Sequence, residues 1–274
     1  MEWACIAPDK VIVATTNRVW LHQLNGDMSS DRFAQLMNHP GNIVTTRKLL
    51  DGALEVAQKA ALANNKLPNL TLTRWIWRLA SLYHLTHSTP RLMAEAAQRF
   101  ALAGRARLAD WALQKAAEER GHDQLALLDI QSLGYKASAV VKVLVPPTAS
   151  ALVNYFTQSV QTTDPIACVG YSYAMERLAM SVGDKYIQAV QALLPSDINA
   201  TRCLRLHSGV GSDVAHVEET VEMVAKLTPQ ERVQVTTACY ETALLCFSPP
   251  REGYISDAEL QHLLQPLKLT TSSK

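Results

Sequence analysis

From Thr45 to Phe247 the sequence carries helical periodicity and helical punctuation almost without a break, and this restricts the fold more than any other feature. Apolar residues recur at three- and four-residue spacing, and start and stop residues divide them into segments. Thr45 can cap a helix running to about Asn64, with Leu49, Leu50, Leu54, Val56 and Ala60 among its apolar positions. Residues 72–87 predict a second helix, rich in Trp75, Trp77, Leu79, Leu82 and Tyr83. Pro90 suits the first turn of a third, Arg91 to about Leu102, which Gly104 ends. The fourth covers 106–132 and stops at Gly134. Val140–Val145 is β-branched and runs into Pro146-Pro147; between long helices it reads as an extended connector or a short helix. Helices are expected again at about 148–161, 165–182, 184–194 and 198–226. A last long one follows Thr228-Pro229, with Thr228 as cap, and ends before Ser248-Pro249-Pro250.

The first 44 residues are different. Val11-Ile-Val-Ala-Thr-Thr-Asn17-Arg-Val-Trp20-Leu places two β-branched runs around a polar centre, which reads as a short hairpin or an irregular arm. The expectation is therefore an all-α chain of about seven long helices. An N-terminal arm spans 1–44, the helical domain 45–250 and a C-terminal tail 251–274, with one short helical pattern and a polar end from Thr270. Nothing in between reads as a linker or a repeat.

Charge and cysteines narrow the partners. A net charge of +1 provides no electrostatic grip on nucleic acid or on an anionic membrane. Five widely spaced cysteines without a Cys-x-x-Cys suggest reduced, mostly buried thiols and a cytoplasmic location. The first residues lack a basic region followed by an apolar run, so no signal peptide is expected. No run of apolar residues approaches the length of a membrane span.

Three features carry candidate chemistry. In Ala117–Tyr135, Glu119 and His122 stand three apart on a predicted helix and project from one face. A carboxylate and an imidazole so placed can grip one metal ion, the spacing that helical di-iron carboxylate proteins use; a solvated pair is the ordinary alternative. Asp213-Val-Ala-His216 repeats that spacing on a second long helix. Glu176 is a lone acid among Cys168, Val169, Ala174, Met175, Leu178 and Ala179. A buried carboxylate is costly unless it is paired or binds a cation, so Glu176 is a ligand, a partner of Arg177 or Lys185, or exposed.

Taken in order, these motifs resemble a known family. Glu118-Glu-Arg-Gly-His-Asp-Gln-Leu-Ala-Leu-Leu-Asp-Ile-Gln-Ser-Leu-Gly134 is similar to the "Glu-x-Gly-His … Asp-(Leu/Ile)-x-x-Leu-Gly" signature of the haem-oxygenase-like di-iron oxidases and oxygenases. Gly170-Tyr-Ser-Tyr-Ala-Met-Glu176 resembles that family's mid-chain Glu segment, and Asp213-x-x-His216 its late ligand pair. The likeness covers roughly residues 70–245. It implies a haem-oxygenase-like bundle with two irons, dioxygen as co-substrate, and Glu119, His122, Glu176, Asp213 and His216 as ligands. Glu95, the only suitable acid on the preceding helix, is the implied sixth. Catalytic residues beyond the ligands are not implied.

One departure stands out. Many members have a His four residues before the late Asp, where this chain has Gly209. His207 lies six before Asp213, a rotation of about 240° on a regular helix. Gly209 and Gly211 weaken that helix and can let His207 turn inward. We favour His207 as the replacement ligand; an open position on one iron or a degenerate site are the alternatives.

Other residues have two readings. Asp129 can orient a ligand imidazole or simply be solvated at a helix end. His84, His87, Tyr171 and Tyr173 can line a substrate pocket or serve packing, and Trp75 and Trp77 read as core or dimer contacts. The resemblance implies an iron- and dioxygen-dependent oxidoreductase acting on a small molecule (an amino acid, its derivative or a fatty acid), as in specialised metabolism. The rivals are a metal-free enzyme of the same fold, resembling cofactor-independent oxidases or thiaminase-like hydrolases, and a non-catalytic helical binding protein. A homodimer is left open.

Overall fold

The computed structural model describes residues 1–24, 31–63, 69–208, 213–248 and 255–269, with the backbone alone at 213–215. Three strands open it: β1 (Glu2–Ala7), β2 (Lys10–Ala14) and β3 (Val19–Gln23), an antiparallel sheet in the order β1-β2-β3. The expected arm is thus a small sheet. Val11, Ile12, Val13 and Ala14 of the central strand are all fully buried, which explains a β-branched run without alternation. Trp3 pairs with Val13, and Val13 with Trp20. β1 carries no β-branched run of its own, and its strand character comes from this pairing.

The rest is helical: α1 (Ile43–Leu62), α2 (Leu72–Leu102), α3 (Ala106–Glu118), α4 (His122–Ser132), α5 (Ala137–Val143), α6 (Pro147–Gln161), α7 (Ala167–Met180), α8 (Asp184–Gln191), α9 (Arg202–Leu206), α10 (Asp213–Ala225), α11 (Pro229–Phe247) and α12 (Asp257–Leu264). Among the described residues no single helix is long and apolar enough to cross a membrane.

The chain divides into two compact units. The first holds the sheet, α1, nearly all of α7, α10 and α11. Asn42, not Thr45, caps α1: its side chain accepts the Val44 N–H at 3.0 Å. The Thr45 and Thr46 hydroxyls instead donate to Glu2 at 2.6 and 2.9 Å. Glu2 and Arg232 are 1% and 0% exposed and lie 3.3 Å apart. The guanidinium also donates to the carbonyls of Leu227 and His39. This buried network ties β1 to α1 and α11. On α7, Gly170 lies against the Val235 carbonyl and Ala238 of α11, an approach that leaves no room for a side chain.

The second unit holds α2 to α5, most of α6, α8, α9 and α12. Trp75, Ile76 and Leu79 of α2 pack with Ile130, Val140, Leu144, Ile187, Val190, Leu204, Leu260 and Leu264 in one core. Trp75 Nε1 donates to the Ala200 carbonyl at 2.9 Å. α2 runs through Pro90, where the sequence predicts two helices. Ile76 and Leu79 before the proline, and Met93 and Phe100 after it, are all buried, so both halves of the continuous helix are packed into the core. Tertiary packing overrides the local break. Part of the expected tail is folded here, because Asp257 accepts from Thr71 Oγ1 at 2.7 Å and Arg74 Nε at 2.6 Å, docking α12 on α2.

Candidate metal centre

The predicted single helix over 106–132 is two helices. Gly121 has φ +88°, a left-handed conformation that favours glycine, and it separates α3 from α4. Glu119 becomes the C-cap of α3, and His122 the first residue of α4. The turn keeps the two side chains together, with His122 Nδ1 3.2 Å from a Glu119 carboxylate oxygen. His207, at the end of α9, completes a cluster: its ring meets that of His122 edge-on, with centroids 4.9 Å apart. Ligand atoms of Glu119, His122 and His207 lie within 4.8 Å of one another, each residue half-buried.

The electrostatics suit a cation. Burial by itself would raise the Glu119 carboxyl. The His122 hydrogen bond and the charges of His207, His122 and Lys115 outweigh it and hold the group below the ordinary carboxylate range. Lys115 is itself buried, 3.3 Å from Glu118. Cys203, one turn before His207, is fully buried, which pushes its thiol up to about 12; its sulfur is not among the converging donor atoms. One carboxylate and two imidazoles match the donor set of non-haem iron sites. These residues fit an iron ion.

The other predicted residues divide. Glu95 pairs with Arg99 at 3.0 Å and Arg91 at 3.8 Å on its own helix, and it is not among the converging donors. Asp129 does not have a solvated helix-end role: it is fully buried and engaged by α9, its carboxylate accepting from Arg202 Nη1 at 2.9 Å and the Cys203 N–H at 3.0 Å. Its carboxyl lies above the ordinary range because burial outweighs those bonds. His84 is hydrogen-bonded to the Leu144 carbonyl at 3.0 Å. His87 stacks on Tyr83 and bonds Asp123, the neighbour of His122, at 2.8 Å.

Glu176 and His216 stand on α7 and α10 of the first unit, both partly buried. Ser172 Oγ donates to Glu176 at 3.4 Å. Asp213 opens α10; its side chain lies outside the described residues, as do Gly209 and Gly211. Tyr171 and Tyr173 are buried, and the Tyr173 hydroxyl donates to Asp51 at 2.8 Å, where Arg177 also binds. Tyr173 is therefore a tether between α7 and α1. Sequence reasoning missed Asp51, Lys115 and Arg202, which carry no local motif. The turn at Gly121 was signalled only by the glycine between Glu119 and His122.

The model of one family, the iron-containing redox enzymes, matches residues 76–248. No curated protein matches the sequence. Among solved structures the chain is similar to a domain of unknown function with a heme oxygenase-like fold from Shewanella denitrificans. Identity is 22% and the TM-score 0.60, over 79% of this chain and 91% of that one. It is also similar to a TenA homolog from Pseudomonas syringae pv. tomato, at 14% identity and a TM-score of 0.54, over 78% of this chain and 98% of that one. At these identities the likeness concerns the fold, which is haem-oxygenase-like. The family match covers more than half of the chain, and Glu119, His122 and His207 all fall within it: the protein belongs to the iron-containing redox enzymes.

Proposed function

We propose that this protein is a non-haem iron enzyme that uses dioxygen to oxidise a small organic substrate. The observation that carries the reading is the convergence of Glu119, His122 and His207 inside the family match. In this reading the three hold one iron, and Glu176, Asp213 and His216 are donors to a second. Glu95, engaged by Arg91 and Arg99, is left out. Iron held there would supply the redox chemistry that dioxygen needs, since dioxygen reacts sluggishly with closed-shell organic molecules. The chain's own part is to keep Glu119 ionised and two imidazoles converged on one point. Asp51 restrains the helix of Glu176 through Tyr173 and Arg177. The substrate class proposed is an amino acid, an amino-acid derivative or a fatty acid.

A second reading has its own support. The Glu119–His122 hydrogen bond is a carboxylate–imidazole pair able to move a proton without metal. Anaerobic ferrous loading separates the two. Iron per chain, optical spectra on mixing with oxygenated buffer, and oxygen uptake are measured for wild type, Glu119→Ala and His216→Ala. Two irons per chain, with loss in both variants, support the di-iron reading. One iron, lost in Glu119→Ala and kept in His216→Ala, restricts the site to Glu119, His122 and His207. A folded wild type that takes up neither iron nor oxygen refutes the proposal and leaves the acid–base reading ahead.

A further inference from the structure

His122 and His207 come from different helices, and something must hold those helices in register. His122 begins α4; His207 ends α9. α9 spans only Arg202–Leu206, and Thr201 at its start makes no side-chain cap bond. A single turn of helix is unfavourable alone, because several dihedrals are fixed for one or two hydrogen bonds. It needs an anchor outside itself.

Asp129 meets that need. It lies two turns along α4 from His122 and is fully buried. One carboxylate oxygen accepts from Arg202 Nη1 at 2.9 Å, and the other from the backbone N–H of Cys203 at 3.0 Å. Arg202 Nη1 also reaches Ser132 Oγ on α4 at 3.1 Å. From Cys203 the path to the site is one turn, since the His207 N–H donates to the Cys203 carbonyl at 3.4 Å. Leu204 packs in the same core as Ile130, the neighbour of Asp129. The apolar packing presses α9 against α4; the carboxylate sets its rotation and register. A buried carboxylate without its donors is costly, so the arrangement resists sliding.

We propose that Asp129 is a positioning residue: by fastening the first turn of α9 to α4, it holds the His207 imidazole edge-on to that of His122. It acts through the backbone of α9 and not on the His122 ring. Its importance for chemistry rests on the reading of Glu119, His122 and His207 as metal donors, and the test keeps the two apart. In metal-free full-length protein with labelled histidines, the ring–ring nuclear Overhauser signal between His122 and His207 is measured in wild type, Asp129→Ala, Asp129→Asn and Arg202→Gln. Each ring is assigned by its His→Gln variant. Far-ultraviolet circular dichroism reports the fold, and titration with Co²⁺ reports affinity and coordination.

Disappearance of the ring–ring signal in folded Asp129→Ala, with cobalt affinity down about 10- to 100-fold and an altered visible spectrum, is expected. Should Asp129→Ala not fold, Asp129→Asn and Arg202→Gln carry the same test, with the signal weakened in both. A wild-type ring–ring signal in the folded variants overturns the proposal whatever cobalt does. If the signal vanishes in the variants while the wild type binds no cobalt, the positioning role is supported and only the metal reading is overturned.

Discussion

Gly121 gives a matched experiment on how the backbone builds the site. Its φ is +88°, and a Cβ placed there meets nothing within 4 Å. The cost of Gly121→Ala is therefore conformational, with no steric part. An L-residue in the left-handed region costs about 1–2 kcal/mol. Alanine also restricts the unfolded chain, which returns about 0.4–1 kcal/mol. The expected net loss is about 1 kcal/mol. Gly134 is the control: φ +82°, open space around its Cβ position, and a location at the far end of α4. Gly134→Ala should lose a similar amount. Urea denaturation compares the stabilities, and cobalt titration reads the site. Only Gly121→Ala should weaken cobalt binding, because only that turn joins Glu119 to His122. Gly121→Asn should recover part of the stability, since asparagine tolerates this conformation better. The reasoning fails if Gly121→Ala is as stable as wild type, or if Gly134→Ala weakens cobalt binding equally.

Arg232→Met should cost about 3–5 kcal/mol in chemical denaturation, because it leaves the Glu2 carboxylate buried without its cation; a loss under about 1 kcal/mol would contradict the network. Gly170→Ala should cost about 3 kcal/mol, near the upper end for overpacking, because the new methyl overlaps the Val235 carbonyl and lies 2.7 Å from Ala238 Cβ. Its thermal midpoint should fall well below that of Gly134→Ala. Asp257 supplies a pH test: its carboxyl is held below the ordinary 3.8 chiefly by the Thr71 hydroxyl, helped by Arg74 and opposed by desolvation. A depressed acid stabilises the fold above its unfolded pKa, and the contribution is lost as pH falls through the folded one. Asp257→Asn should therefore be less stable than wild type at neutral pH, with the difference closing in acid. A difference that persists below the folded pKa would refute the assignment.

Features set by near neighbours in the chain were legible in the sequence. The Thr228-Pro229 helix start holds, with Glu231 completing its cap. The Val140–Val145 run, read as an extended connector or a short helix, is helical as far as Val143, in a helix that begins earlier, at Ala137. The Glu119–His122 pairing was legible because three residues of chain determine it. Pro90 and Thr45 misled for one reason: long-range contacts outweigh their local preferences. Packing along α2 overrides the proline, and Glu2 recruits the threonine hydroxyl. β1 becomes a strand only against β2.

The site divides the same way. Its donor types and the spacing of Glu119 and His122 belong to the sequence by itself, since side-chain chemistry and near-neighbour geometry are local. That Glu95 pairs with Arg91 and Arg99 follows from four-residue spacing on its own helix; that Asp129 grips α9 depended on partners chosen by packing. His207 is the clearest case. It stands 85 residues after His122 in the sequence. Its place beside that imidazole is decided by the docking of α9 on α4, because no rule of spacing acts over such a length of chain.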